Sequence, residues 1–163
     1  MSTSTLTRAQ AEDFLFAEVD LIDSWQLKEW AELFADDGVH LVPPLTEPDA
    51  DPGKALFLIN DDRFRLGERA KRLSKAQAHA EYPHSKVRHL IANVRVHGGP
   101  AERVRVNCNF VVYRSRCDHT EVFPGHARYE LDVRDPAAIR IRSKRAMVDT
   151  DTLRDQRRIS IVL

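Results

Sequence analysis

Two histidines and a carboxylate occur close together near the middle of the sequence. Glu81, His84 and His89 supply the ligand types of a non-haem iron(II) site, which uses two imidazoles and one carboxylate. Pro83, however, disfavours helix at the residue before it, and the residues after Ser85 alternate as they do in a strand. The three residues are therefore predicted to lie at a helix end and on a strand. In those positions the two histidines are too far apart to share a metal.

The two cysteines also lack the spacing that a metal cluster needs. Cys117-Asp118-His119 offers one Cys-x-His pair, but a Cys₂His₂ iron–sulfur centre needs two such pairs, and Cys108 has no histidine placed to complete the second. We interpret Cys108 as a strand residue and Cys117 as part of a turn. No CxxC motif occurs, so both thiols are expected to be reduced and structural.

Several other side chains could transfer protons, namely His40, His89, His126, Tyr113 and Tyr129. A perturbed pKa requires a specific partner, and the sequence identifies none for these groups. We expect structural or solvent-facing roles for them. The chain has seven histidines, so some should face inward by chance, and acid–base catalysis stays open as an alternative.

Two adjacent carboxylates beside an arginine, Asp61-Asp62-Arg63, could in principle position a metal or a proton. Carboxylates are also common at the start of a helix, where they accept hydrogen bonds from free backbone N–H groups and stabilise the positive end of the helix dipole. We therefore predict that Asp61 caps a helix and that Asp62 supports the same helix end.

Composition narrows the function further. The chain has 163 residues, and its 25 Lys and Arg balance its 25 Asp and Glu, which argues against a nucleic-acid binder. No run approaches the roughly 20 apolar residues that a membrane-spanning helix needs. The segment Met1–Arg8 lacks an apolar secretory core. We expect one cytoplasmic domain covering residues 1–163.

The N-terminal half is predicted to be helical. Thr7 and Gln10 fit a capping box. Apolar residues at helical spacing then indicate a first helix, on Phe14, Leu21, Ile22 and Trp25, and a second, on Leu27, Trp30, Ala31 and Phe34, with Gly38 as its left-handed cap. Short strands are predicted at Val39–Pro43 and Ala55–Ile59. A third helix is expected to begin at Asn60 or Asp61, to carry Leu66, Ala70, Leu73 and Ala80, and to end at Tyr82–Pro83.

The second half changes to the period of two that is typical of strands. Four strands separated by short turns are predicted at Val87–Val96, Arg103–Tyr113, Phe123–Val133 and Ile139–Val148. Helices followed by an antiparallel meander indicate an α+β fold in which a curved sheet covers the N-terminal helices.

Five segments in the same order resemble one known family over nearly the whole chain. They are Asp23–Gly38, Asn60–Arg63, Ala78–Val94, Asn109–Arg116 and Val148–Leu163. In this order they resemble the small (β) subunits of aromatic-ring-hydroxylating dioxygenases, with Asn60 standing where that family usually has an aromatic residue. The third segment, which contains AHAEYP and SKVRHLIANV, is the most specific.

The resemblance implies a cone-like fold of the nuclear-transport-factor-2/SnoaL type and a structural role. It implies a trimer of these subunits within an α₃β₃ hexamer. It also implies that the Rieske [2Fe–2S] cluster and the mononuclear Fe(II) belong to the catalytic α subunit, with no metal in this chain. The segments are somewhat more similar to subunits that act on alkyl-substituted benzoates such as p-cumate. The alternative is a free-standing cone-fold isomerase or dehydratase with a small hydrophobic substrate.

An interface is then expected on the arginine-rich strands, because the arginine fork pairs with carboxylates and is enriched at protein interfaces. The sheet arginines are Arg95, Arg103, Arg105, Arg128, Arg140, Arg142 and Arg145. The predicted subunit contacts are Arg88, Arg95 and the tail residues Ile159, Ile161 and Leu163, and truncation of Ile159–Leu163 is expected to weaken assembly.

Overall fold

The computed structural model describes residues 6–75, 83–100, 102–150 and 162–163. The described part of the chain contains three helices and six strands. In chain order they are α1 (Arg8–Asp23), α2 (Leu27–Ala31), β1 (Phe34–Val42), β2 (Ile59–Asp62), α3 (Arg63–Leu73), β3 (Lys86–His97), β4 (Arg103–Arg116), β5 (His119–Asp132) and β6 (Arg140–Val148).

All six strands belong to one open, curved sheet of order β2-β1-β6-β5-β4-β3. Strands β3 to β6 form the predicted antiparallel meander, and only the β1–β6 pair is parallel. The strand-to-strand register shifts at bulges in three of the pairs, which bend the sheet. The helices pack on the inner face, with α1 against β3 and α3 against β1. The α+β prediction is confirmed.

The first helix begins as its sequence indicates. The Thr7 hydroxyl accepts a hydrogen bond from the Gln10 backbone N–H, and the Gln10 side chain accepts one from the Thr7 N–H, so the capping box is confirmed. The helix ends at Asp23, and Trp25 follows with a φ of 59°. This left-handed residue turns the chain into α2.

The prediction that α2 extends through Phe34 to a cap at Gly38 is wrong. The helix ends at Ala31, and Phe34 already begins β1. None of the described glycines has a positive φ. At Gly38 a Cβ atom would lie 2.8 Å from the carbonyl oxygens of both Ala35 and Ile141. Glycine is therefore required here because two strands approach closely at a bulge, and not to end a helix.

The segment before α3 also differs from the prediction. The predicted strand Ala55–Ile59 is wrong, because β2 begins only at Ile59 and the preceding Leu56 is 93% exposed. Residues 51–55 instead form a turn in which the Ala55 N–H donates to the Asp51 carbonyl. An apolar residue that faces solvent has no core contact to hold it in the sheet.

The cap of α3 lies one residue later than predicted. Asp62 is the N-cap, and its carboxylate accepts a hydrogen bond from the Arg65 N–H at 2.8 Å. Asp61 is a buried residue of β2 that forms an ion pair with Arg69, so its prediction as a cap is corrected. The alternation of the strand decides this, because it turns Asp61 inward and Asp62 outward.

The same helix ends earlier than predicted. It stops at Leu73, with the Ser74 hydroxyl donating to the Ala70 carbonyl at 2.7 Å. The predicted extension through Ala80 to Tyr82 falls on residues 76–82, which lie outside the described part of the chain.

Candidate functional site

Four polar side chains form a cluster at the centre of the cone. Glu18 of α1 is fully buried and accepts hydrogen bonds from Lys144 Nζ at 2.6 Å, Tyr129 Oη at 2.7 Å and Trp30 Nε1 at 3.1 Å. We call Glu18, Trp30, Tyr129 and Lys144 the interior cluster. Its carboxylate is satisfied by three donors, which is the condition under which a buried charge is tolerated.

Local periodicity places both charges of the interior cluster inside. Glu18 lies three residues after Leu15 and four before Ile22, on the buried stripe of α1. Lys144 shares the inward face of β6 with Ala146 and Val148 at strand spacing. Sequence reasoning considered Tyr129 but missed Glu18 and Lys144. A charged residue in phase with an apolar stripe is the signal that could have found them.

Other titratable side chains surround the interior cluster. His40 is fully buried and lies edge-on to the Trp30 ring at 5.4 Å. Neither of its ring nitrogens has a hydrogen-bond partner of standard geometry among the described residues. Burial, followed by the positive charges of Lys144 and Arg69, lowers the pKa of His40 well below its usual value, although the nearby Leu163 backbone acts in the opposite direction. The imidazole is therefore neutral at physiological pH.

Two weak acids in or near the interior cluster, Tyr129 and Cys108, hold their protons. Burial, and then the charge of Glu18, raises the pKa of the Tyr129 phenol well above its usual value. The same two causes raise the pKa of the Cys108 thiol to about 12. Cys108 is therefore an unreactive structural thiol, and both cysteines are free.

A second buried pair joins α1 to β3. His89 Nδ1 lies 2.6 Å from Asp23 Oδ1, and the His89 backbone N–H donates to Asp23 Oδ2 at 3.0 Å. The Nε2 atom is buried and has no partner among the described residues. A histidine that acts as a general base commonly has one ring nitrogen bound to a carboxylate, while the other ring nitrogen has no partner. Here it also fixes α1 to the sheet through two contacts.

The residues of the possible iron site do not converge. The His84 ring stacks on Trp25 at 4.1 Å and contacts the Leu73 carbonyl through Nε2, whereas His89 binds Asp23. Glu81 lies outside the described residues. Over residues 6–75, 83–100, 102–150 and 162–163, no three His, Cys, Asp or Glu side chains come together as metal ligands. His84 and His89 are therefore engaged separately and do not share a site.

Four cavities of the described structure lie away from these groups. The one beside the N-terminus of α1 has a volume of about 330 Å³ and is lined by Leu6, Phe14 and Ile139. A second, of about 380 Å³, lies between α2 and α3. Four of the cavities formed by described residues, including these two, are not lined by Glu18, His40 or His89.

The opposite side of the sheet carries exposed apolar residues. Leu90, Tyr113 and Val122 are 53%, 41% and 40% exposed on the neighbouring strands β3, β4 and β5. Tyr113 pairs with Arg88 on one side and with Val122 on the other. Arg95, further along β3, is also exposed. We call this surface, defined by Arg88, Leu90, Arg95, Tyr113 and Val122, the outer face.

Most of the other sheet arginines are bound within the chain. Arg142 pairs with Asp37 at 2.7 Å and with Asp132 at 3.3 Å, and Arg103 pairs with Glu130 at 3.4 Å. Further contacts tie Arg128 to Asp49, Arg140 to the Glu32 carbonyl, Arg105 to the Gly98 carbonyl, and Arg145 to the carbonyls of Pro48 and Ala50. These arginines organise loops at the rim of the sheet.

The subunit contacts predicted in the C-terminal tail are Ile159, Ile161 and Leu163. Leu163 is 2% exposed and belongs to the hydrophobic core of its own chain. Its role as a subunit contact stays a prediction. Ile159 and Ile161 lie outside the described residues. Truncation of the tail would remove core contacts as well as any interface.

Comparison with known proteins decides the family. The family described as ring-hydroxylating β subunit matches residues 17–155 of the chain. The chain belongs to that family. It is the β subunit of an aromatic-ring-hydroxylating dioxygenase, and not a free-standing isomerase or dehydratase. The resemblance drawn from the five sequence segments is confirmed.

Individual relatives agree with this assignment. The small oxygenase component of the p-cumate 2,3-dioxygenase system of Pseudomonas putida is 40% identical over 97% of this chain and 88% of its own length. The β subunit of the benzoate 1,2-dioxygenase of Burkholderia mallei is 22% identical, covers 98% of this chain and 99% of its own, and has a TM-score of 0.77.

A third relative supports the fold alone. An NTF2-like protein with a cystatin-like fold from Novosphingobium aromaticivorans has a TM-score of 0.62 at 15% identity, over 89% of this chain and 83% of its own. The prediction of a nuclear-transport-factor-2-like cone is confirmed. No helix of the described residues is long and apolar enough to span a membrane.

Proposed function

We propose that this β subunit has no catalytic activity of its own and acts by holding the iron-containing catalytic subunits in position. The observation that carries the proposal is that buried polar groups are engaged in contacts within the fold. Glu18 is occupied by three donors, Cys108 is held protonated, and four cavities formed by described residues reach neither group. Related cone enzymes need an open acid–base pocket, whereas the Glu18 carboxylate here is engaged by three donors of its own chain.

The partner follows from the family. A β subunit implies a catalytic α subunit, and we infer the α₃β₃ hexamer in which three chains of this kind form a trimer. The Rieske [2Fe–2S] cluster and the mononuclear Fe(II) would both reside in the α subunits. The contribution of the chain is then the geometry and stability of the ring of catalytic subunits.

The outer face is the proposed contact surface. It combines three exposed apolar side chains with Arg88 and Arg95, and apolar and arginine side chains together are typical of interfaces. The strand β3 that carries three of its residues is also an edge of the sheet. Arg88 and Arg95 therefore remain proposed subunit contacts.

Co-expression with the catalytic subunit tests this proposal. We expect the double variant Leu90→Asp/Tyr113→Asp to reduce hexamer formation, measured by native mass spectrometry, because it introduces charges into an apolar contact. Phe16→Asp is the matched control, since Phe16 is equally exposed, at 45%, but lies on α1. An intact hexamer with the double variant would refute the proposed surface.

The substrate of the complex is proposed from the relative of highest identity reported above. The 40% identity to a subunit of a p-cumate 2,3-dioxygenase system favours an alkyl-substituted benzoate. Assay of the reconstituted complex on a panel of aromatic acids tests this directly. Turnover of any such acid by the isolated β subunit would refute the proposal that this chain has no catalytic activity of its own, and the Asp23–His89 pair would be the first group to mutate.

A further inference from the structure

A groove between α2 and α3 has features that the fold itself does not require. Its volume of about 380 Å³ falls in the range of roughly 300–1,000 Å³ that is typical of small-molecule sites. Ala31, Gly67 and Ala70 form an apolar floor, and both alanines are nearly fully buried. A floor of such small side chains leaves room for the apolar body of a ligand.

The rim of the groove is cationic. Lys28, Arg63 and Lys71 line it, against a single carboxylate, Glu32. Lys71 binds Glu68 at 2.9 Å. Within the part of the chain that the structure describes, the side chains of Lys28 and Arg63 have no hydrogen bond or ion pair, although Arg63 is half-buried. A half-buried guanidinium without a partner is a site for an anion.

Gly67 keeps the groove open at a cost to the helix. Glycine inside a helix is less stable than alanine by about 0.5–1 kcal/mol. A Cβ atom at this position would meet only Arg63 Nη1, at 4.0 Å, and Gly67 does not have a positive φ. Neither backbone conformation nor packing therefore demands glycine, whereas any larger side chain would project into the groove.

From these three observations we propose that the α2–α3 groove binds a small monoanion with an apolar body. The choice of an aromatic carboxylate as that anion rests on the substrate class proposed for the complex. The apolar part would lie against Gly67, above the buried Ala31 and Ala70, and the carboxylate would pair with Arg63, supported by Lys28. This site is separate from both the interior cluster and the outer face. The fraction of β subunits with an occupied groove would then depend on the concentration of aromatic acids.

Calorimetric titration of the full-length β subunit tests the proposal. The probe is 4-isopropylbenzoate, and its neutral counterpart is 4-isopropylbenzyl alcohol. We expect saturable binding of one carboxylate per chain and at least tenfold weaker binding of the alcohol. The isolated subunit is used because the catalytic subunit would contribute its own binding of aromatic acids.

Two variants locate the site. Arg63→Gln should weaken carboxylate binding at least tenfold, and Gly67→Leu should abolish it while keeping the helix, since leucine is the better helix former. Arg72→Gln removes the same charge from the exposed side of α3, and Gly98→Leu fills open space elsewhere. Both controls should bind within twofold of the original chain.

Each remaining outcome overturns the proposal. Absence of saturable binding would remove the site. Equal weakening by Arg63→Gln and Arg72→Gln would mean general charge attraction, and full binding by Gly67→Leu would place the ligand elsewhere. If the catalytic subunit competes with the carboxylate and Gly67→Leu blocks assembly, the groove is a protein contact. The assembly test of the outer face is independent of all four results.

Discussion

The two sides of the sheet use the same residue types in opposite ways. On the inner side, Glu18, Tyr129 and Lys144 are buried and bound to one another. On the outer face, Tyr113 and Arg88 are exposed to solvent. Inside this cone, polar and charged side chains bind one another and stabilise the fold. On the outer face, side chains of the same types remain available to contact another protein. Four changes test the comparison, in order of decreasing effect on stability.

The largest effect is expected from Glu18→Ala. The variant leaves Lys144 buried without its partner, and breaking a buried pair in this way costs about 3–5 kcal/mol. The double variant Glu18→Leu/Lys144→Met should recover much of the loss, because no uncompensated charge remains. Urea unfolding measures both. Equal stability of Glu18→Ala and the original chain would show that the interior cluster does not stabilise the cone.

Two tyrosines, one on each side of the sheet, provide a matched pair of Tyr→Phe variants. Tyr129→Phe removes a hydrogen bond to a buried carboxylate, which is expected to cost about 1.5–3 kcal/mol. Tyr113→Phe, on the outer face, should change the free energy of unfolding by less than about 0.5 kcal/mol, as most surface substitutions do. Similar losses for the two variants would break the distinction between the two sides.

Acidification should destabilise the inner side through His40. Its pKa is lowered in the folded chain, so below the unfolded value near 6.5 the unfolded state binds a proton that the folded state does not. Stability is therefore lost as the pH falls below about 6.5.

The variant His40→Leu should remove that part of the pH dependence, measured by urea unfolding at both pH values. His126→Leu is the control, because His126 is only half-buried and contacts Asp149 near the rim. If the pH dependence persists in His40→Leu and disappears in His126→Leu, it arises from His126 and the prediction for the inner side is wrong.

The smallest effect on stability is expected for Arg88→Gln and Arg95→Gln. Both side chains are exposed, and exposed charges contribute little to folding, so each variant should unfold within about 0.5 kcal/mol of the original chain. Their effect should appear in assembly with the catalytic subunit, as faster dissociation of the hexamer in native mass spectrometry. Reduced stability without a change in assembly would contradict the proposed contact role.

Much of the fold follows from local patterns. The capping box at Thr7, the four strands of the meander and the absence of CxxC pairing can all be read from short stretches of sequence. Boundaries were less predictable. Phe34 continues the apolar spacing of α2 but pairs with Ile141 in the sheet, and this partner is more than a hundred residues away.

The sequence by itself determined the family, the α+β order of the elements and which residues alternate between the two sides of the sheet. These features depend on interactions between residues close in the chain, or on segments whose order is preserved. Only the tertiary structure decided that Glu18 binds Lys144 and that Asp61 pairs with Arg69 and does not cap α3. The physical reason is that a buried charge takes its partner from whichever element folds against it, and the pattern around either residue alone does not specify that element.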